Sequence, residues 1–352
     1  MRLLTLNKEI KWKIFGKKNP NYFNWQWQEK NSLTTIQDLE RYGHLAKNEL
    51  DEIKKIKIKF GFKVTPYFFS LINWRDKYCP IKLQIIPSIL ENIIKPTESE
   101  DPLAEKKYQP INGLIHKYPD RVLVCPTFLC AVHCRYCFRK TRTDTDTRHG
   151  PTRTDTRTDT DLDNIVSYLQ KHTEIKEAIF SGGDPLSLSD SALKKWLKLV
   201  GNIKHIQTIR IHTRYPAVNP FRVTDNLIKI LKIKKPIWVV VPFNHHKELT
   251  KYSRAAILKL VNSGIPVLNQ CVLLKNINDN AKTMADLFLE LIKIKVKPYY
   301  IHYLDRARGT SHFRTTISKG IEILKELRNT LPGYALPEFV IDIPDKGKIR
   351  LY

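Results

Sequence analysis

From Arg121 onward, short apolar runs alternate with segments whose apolar residues recur at helical spacing, and nothing else in the chain restricts its fold as much. The runs are Val122–Pro126, Glu177–Ser181, Thr208–Thr213, Ile237–Phe243, Pro266–Leu274 and Lys297–Leu304. Most are rich in β-branched and aromatic side chains, as strands are. Between them Leu162, Ile165, Val166 and Leu169, then Leu193, Trp196, Leu197 and Val200, then Met284, Leu287, Phe288 and Leu291 follow i, i+3, i+4, i+7, one buried stripe per helix. Repeated strand–helix–strand order predicts a parallel sheet, because each parallel connection needs a crossover. Six units are too few for a closed eight-stranded barrel. The predicted fold is therefore α/β, a partial (βα)6 barrel.

The flanks read differently. Residues 1–110 form a helical extension: Trp25–Gln28 precedes a helical segment from Leu33 to Tyr42, and Asn48–Phe60 is charge-rich with an apolar stripe. Pro66, Pro80, Pro87, Pro96 and Pro102 then recur too often for long helices. The barrel occupies 111–330, and 331–352 form a short C-terminal segment. Within the barrel, 141–161 contain nine Thr, five Asp and four Arg without a large apolar side chain. Such a tract buries no area to offset its ordering entropy, so a low-complexity flexible insertion is expected there.

With 42% hydrophobic and 10% aromatic residues among 352, the chain can bury a large core, which excludes wholesale disorder. Its net charge of +25 would attract anionic partners, but the lysines are scattered among Ile and Asn with no basic arm. They read as a solvated surface, and no nucleic-acid partner is expected. The N-terminal apolar run is too short for an export signal, and no stretch approaches the roughly 18 apolar residues of a membrane span. A cytoplasmic location with reduced thiols is expected.

Three of the six cysteines crowd into Cys130-x3-Cys134-x2-Cys137, just after the first predicted strand. Three thiolates on one loop can hold three irons of a cubane and leave the fourth iron open to a substrate or cofactor. Structural zinc would want a closed set of four, and only His133 or Cys125 is near enough in sequence to complete one. Tyr136 and Phe138 would shield a cluster, and Arg135, Arg139 and Lys140 would offset its negative charge. One strand later comes Ser181-Gly182-Gly183-Asp184-Pro185, where glycines permit close backbone approach and Asp184 can accept from an ammonium group. His245 and His246 read as strand-end polar residues with no metal assigned, and Cys125 and Cys271 as buried thiols.

The cysteine spacing and the glycine-rich motif resemble those of the radical S-adenosylmethionine (SAM) superfamily. Within it the chain resembles the lysine 2,3-aminomutase family, through Trp25–Asn31, Thr65–Phe68, Cys79–Ile81, Asp101–Leu103, His116–Arg121, Asn269-Gln270, Lys297–Tyr300 and His312–Thr315. Cys137–Arg139 and Ile209–His212 extend the likeness to shorter relatives that make β-lysine for elongation factor P. The resemblance implies that Cys130, Cys134 and Cys137 ligate a [4Fe–4S] cluster whose open iron takes SAM, with Gly182, Gly183 and Asp184 around its methionine end. It implies that Arg139 clamps the substrate carboxylate, that Tyr118 lies beside the ring of pyridoxal 5′-phosphate, and that Arg214 lies near its phosphate. Asp305 and Asp342 would hold the distal ammonium of lysine, and Lys348 would carry pyridoxal phosphate.

That last position departs from the family's Asp-x-Pro followed by four glycines and Lys. Asp342-Ile343-Pro344-Asp345-Lys346-Gly347-Lys348 is one residue shorter, with Asp345 and Lys346 in place of glycines. Lys348 aligns best, with the Lys346 cation expected to lower its pKa, but Lys346 stays an alternative carrier. The C-terminal extension of longer members, with its zinc site and oligomer contacts, is not carried over.

The implied activity is a pyridoxal phosphate-dependent 1,2-amino shift, driven by a 5′-deoxyadenosyl radical, that turns L-lysine into β-lysine. Such an enzyme is an isomerase served by an electron donor such as flavodoxin or ferredoxin, and compatible with a homo-oligomer. Alternatives are an enzyme dedicated to elongation factor P, a glutamate 2,3-aminomutase and, outside the class, an RNA-binding radical SAM protein. A distal carboxylate would be repelled by Asp305 and Asp342, which favours lysine over glutamate.

Overall fold

The computed structural model describes residues 19–56, 60–141 and 157–352. The N-terminal part carries short helices, α1 (Trp25–Lys30), α2 (Ile36–Tyr42), α3 (Lys47–Lys54), α4 (Pro66–Phe69) and α5 (Pro80–Ile85). Thr65 shows how proline and a capping hydroxyl start such a helix: Pro66 sits at the first helical position and the Thr65 side chain accepts from the Phe68 N–H. The Thr65 hydroxyl also donates to the Val218 carbonyl, 2.5 Å away, and Tyr67 is hydrogen-bonded to Thr250. The extension thus packs into the same apolar core as the barrel.

Nine strands follow among the described residues: β1 (Leu114–Tyr118), β2 (Arg121–Thr127), β3 (Glu177–Gly182), β4 (Thr208–His212), β5 (Ile237–Val241), β6 (Val267–Val272), β7 (Lys297–His302), β8 (Glu338–Ile343) and β9 (Gly347–Arg350). They form one sheet in strictly sequential order. Neighbours from β2 to β8 are parallel, while β1 and β9 pair antiparallel at the two ends. The crossovers are α6 (Asp159–Lys171), α7 (Asp190–Gly201), α8 (Tyr215–Val218) with α9 (Asp225–Leu231), α10 (Lys251–Asn262), α11 (Ala281–Lys293) and α12 (Ile317–Thr330). Leu162, Ile165 and Leu169, the α7 stripe, and Met284, Leu287, Phe288 and Leu291 are buried as their spacing predicts; Val166 is half-buried.

The six expected strands are all present, and the parallel array gains a seventh, β8. Its Phe339 and Val340 are buried within a segment read above only as a tail. The hairpin from β8 to β9 places Asp342 opposite Lys348 and Ile343 opposite Gly347. Gly347 is required there: its φ is +75°, and a Cβ would lie 2.8 Å from the Tyr118 hydroxyl. Asp345 takes a positive φ of 64° and accepts from Lys107 Nζ at 2.7 Å and Tyr108 Oη at 2.6 Å, both in the 3-10 turn Glu105–Tyr108.

The expected insertion at 141–161 lies mostly outside the described residues. Its end is not loop, however. Thr158 caps α6 by accepting from the Asp161 N–H while the Asp161 carboxylate accepts from the Thr158 N–H, so Asp159–Asp161 form the first turn of a helix.

Candidate active site

A cavity of 830 Å³ is lined by the cysteine loop, the ends of β3 and β4, the segment after β7 and the β8–β9 hairpin. It lies at the upper end of the roughly 300–1,000 Å³ usual for small-molecule sites. Cys130, Cys134, Cys137, Gly182, Gly183, Asp184, Arg139, Arg214, Tyr118, Asp305, Asp342 and Lys348 all line it. One wall therefore gathers residues more than 200 positions apart in sequence.

At the cysteine end, burial pushes the Cys130 thiol well up, helped by Asp184 and the other two cysteines, and burial with Cys134 pushes Cys137 up to about 11. Thiols that repel one another as thiolates suit a cationic centre that binds them together. Cys130, Cys134 and Cys137 offer three sulfur donors from one loop on the cavity lining, a donor set that fits an iron–sulfur cluster.

Gly183 is fixed by this loop. A Cβ there would lie 2.4 Å from the Leu129 oxygen and the Phe128 carbonyl carbon, so the close approach is to the chain's own backbone beside Cys130. Asp184 accepts from the Arg214 N–H at 2.7 Å and the Leu186 N–H at 3.0 Å, and burial pushes it up to about 6. Its first task is to join the ends of β3 and β4.

Two expected roles look different here. Arg214 lines the cavity, but its guanidinium is engaged with the cysteine loop: it donates to Cys134 Sγ at 2.7 Å, Gln84 Oε1 at 2.6 Å and Glu248 Oε2 at 3.1 Å. Buried carboxylate and thiol draw it to the cysteine loop, a pull that no local pattern announces. Nor do the loop cations offset a cluster unaided. Arg135 and Lys140 both pair with buried Glu91, and Arg139 grips Glu105 through Nε at 2.9 Å and through Nη2. Arg139 Nη1 also donates to Ser181 Oγ and the Gly182 carbonyl. Only one Nη2 hydrogen remains for a ligand.

At the hairpin end, Lys348 Nζ donates to Asp342 Oδ2 at 2.6 Å and lies 5.1 Å from the Tyr300 ring centre. Its backbone N–H donates to the Tyr118 hydroxyl at 3.0 Å. Burial lowers the Lys348 pKa, and the neighbouring cation acting with it is Arg210; Lys346 is exposed on the turn and does not line the cavity. Asp342 also faces His302 Nδ1 at 3.2 Å, and these partners hold its carboxyl well below the usual range despite burial. Asp305 forms no ion pair among the described residues, although Lys348 and Arg139 are near enough to favour its charged form. Withdrawal from solvent, then the charge of Asp342, pushes it up to about 7. Arg121, stacked over Tyr118 at 4.1 Å, Lys117, Arg210 and Arg350 are lining cations that spacing alone did not single out.

Residues 124–288 match the radical SAM superfamily. The chain is 38% identical to an L-lysine 2,3-aminomutase of Fusobacterium nucleatum, covering 92% of this chain and 75% of that one. It is 39% identical to an L-lysine 2,3-aminomutase of Bacillus subtilis, covering 98% and 72%. A glutamate 2,3-aminomutase of Clostridioides difficile is 35% identical, with 92% and 75% covered.

Proposed function

The chain belongs to the lysine 2,3-aminomutase family of the radical SAM superfamily, and from that premise we propose that it converts L-lysine to β-lysine. The observation that carries lysine over glutamate is the pair Asp305 and Asp342 on one cavity wall, with Asp342 already 2.6 Å from a primary ammonium, that of Lys348. The Lys348 head group is chemically the distal group of free lysine. A distal carboxylate there would meet two like charges.

Cys130, Cys134 and Cys137 would hold the iron–sulfur cluster, and the Gly182-Gly183-Asp184 turn would border SAM. Lys348, walled by Tyr118 and Tyr300, would bind pyridoxal phosphate, with Arg121 and Lys117 among the lining cations available to its phosphate. When bound, the cluster and SAM supply a carbon radical, and pyridoxal phosphate supplies a ring that delocalises an unpaired electron. The chain's own work is positioning. Asp342 and Asp305 hold the distal ammonium, so the substrate's length sets which carbon faces the cluster end. Arg139 meets the α-carboxylate with its remaining Nη2 hydrogen or by parting from Glu105. Val218, Val240, Val272 and Leu304 on the cavity wall exclude water from a reactive radical.

No helix among the described residues is long and apolar enough to cross a membrane. A cytoplasmic enzyme reduced by a flavodoxin- or ferredoxin-type donor is the setting consistent with this chemistry. Anaerobic reconstitution with iron, sulfide and pyridoxal phosphate, then assay of lysine and glutamate with SAM and reductant, tests the proposal. β-Lysine should accumulate and β-glutamate should not; the reverse preference would overturn it.

A further inference from the structure

His302 has no part in the chemistry assigned above, yet it touches its centre. It is the last residue of β7, buried, and on the cavity wall. Its Nδ1 lies 3.2 Å from Asp342 Oδ2, the oxygen that also accepts from Lys348 Nζ. Its Nε2 is buried without a hydrogen-bond partner among the described residues. The ring meets Tyr300 edge-on at 5.6 Å, which fixes its plane. Burial holds the imidazole below its ordinary range, so it is neutral. A neutral imidazole facing an ionised carboxylate carries its hydrogen on the nitrogen that faces it, here Nδ1.

Asp342 must serve two ammonium groups in turn. Before pyridoxal phosphate binds it holds Lys348, and that amine has to leave before it can react. Afterwards the same carboxylate receives the substrate. Between the two it would be a withdrawn carboxylate without a donor, and such a group protonates or turns away. We propose that His302 is a positioning residue which keeps Asp342 aimed at the cavity, as its constant hydrogen-bond donor, while the carboxylate exchanges the Lys348 ammonium for the distal ammonium of the substrate. The inference rests on the reading of Lys348 and Asp342 given above and adds a residue to it.

Two variants test this. His302→Phe keeps the ring and removes the donor; His302→Asn keeps a donor close to the Nδ1 position. Pyridoxal phosphate affinity is read by titrating the visible absorbance of the anaerobic protein without lysine or SAM, and KM and kcat for lysine are read separately. Losing one hydrogen bond to a charged group costs about tenfold or more in affinity. His302→Phe should therefore raise KM about tenfold with a smaller change in kcat, and should change pyridoxal phosphate affinity. His302→Asn should return both to within about threefold of the parent, a margin under 1 kcal/mol. A His302→Phe protein with parental KM and pyridoxal phosphate affinity overturns the proposal. So does a His302→Asn protein that stays as impaired as His302→Phe, which would mark a packing role only. Lys348→Ala separates the two levels: if it still loads pyridoxal phosphate fully, the reading of Lys348 fails, whereas a parental His302→Phe beside a non-loading Lys348→Ala removes only the role of His302.

Discussion

At the cysteine end of the cavity four buried cations already have their anions: Arg135 and Lys140 on Glu91, Arg139 on Glu105, Arg214 on Glu248 and Cys134. At the hairpin end, Asp305 forms no ion pair among the described residues and feels Lys348 and Arg139 only at longer range, and Asp342 divides itself between Lys348 and His302. The first arrangement is closed and suits a centre that stays bound. The second leaves acceptor capacity unused and suits ligands that come and go. Closing one end so fully frees the other to hold unsatisfied charge, since native strain at one site needs a well-determined surrounding.

The most severe way to break this contrast is to remove its two anchors. Cys134→Ala should abolish iron retention and 5′-deoxyadenosine formation while pyridoxal phosphate still binds, and Lys348→Ala should do the converse; iron analysis and visible absorbance distinguish them. If either change erased both cofactors, the ends would not be separable.

Next in size is Arg135→Leu. Breaking a buried pair costs about 3–5 kcal/mol, with the lower end expected because Lys140 stays on Glu91. Chemical denaturation should register that loss; a shift below about 0.5 kcal/mol, typical of surface sites, would contradict a closed cysteine end.

Asp305→Asn should weaken lysine binding about tenfold or more at pH 8, as expected when a charged partner is lost. The carboxylate must be ionised to hold an ammonium, so lysine affinity of the parent should fall as pH drops through about 7, and the variant should lack that dependence. Stability runs the other way. A carboxyl whose folded pKa is raised contributes stability below its unfolded pKa that is lost as pH rises through the folded value. Ligand-free Asp305→Asn should therefore melt higher than the parent at pH 8 and similarly at pH 4. Equal melting points at pH 8 would mean that Asp305 carries no strain.

The smallest effect belongs to the hairpin clasp. Asp345 and Lys107 are both exposed, where solvent screens an ion pair to little net value, and glycine at position 345 would relieve the positive φ. Asp345→Gly should change the thermal midpoint by no more than about 2 °C. A larger fall would show that the turn depends on its tether to the 3-10 segment.

What the chain revealed unaided follows from range. Strand and helix periodicity and the cysteine spacing are local, and they located six strands and the metal loop. The contacts that decide roles are not. Glu105 reaches Arg139 across 34 positions and Gln84 reaches Arg214 across 130, so neither the occupied guanidinium fork nor the cysteine-bound arginine leaves a mark in nearby residues. β8 was illegible for a milder reason, since its two buried apolar residues are too few to fix a period. Nothing in the sequence singles out His302, because only the fold brings Asp342 to its Nδ1 and Lys348 to the same oxygen.

Because each strand pairs only with its neighbours in the chain, the sheet can be laid down in order of synthesis, without waiting for a distant partner. Lys348 stands on β9, which pairs with β8 alone, so its amine meets Asp342 only when that hairpin closes. Completion of that side of the cavity is thereby tied to one short-range pairing and not to the assembly of the parallel array.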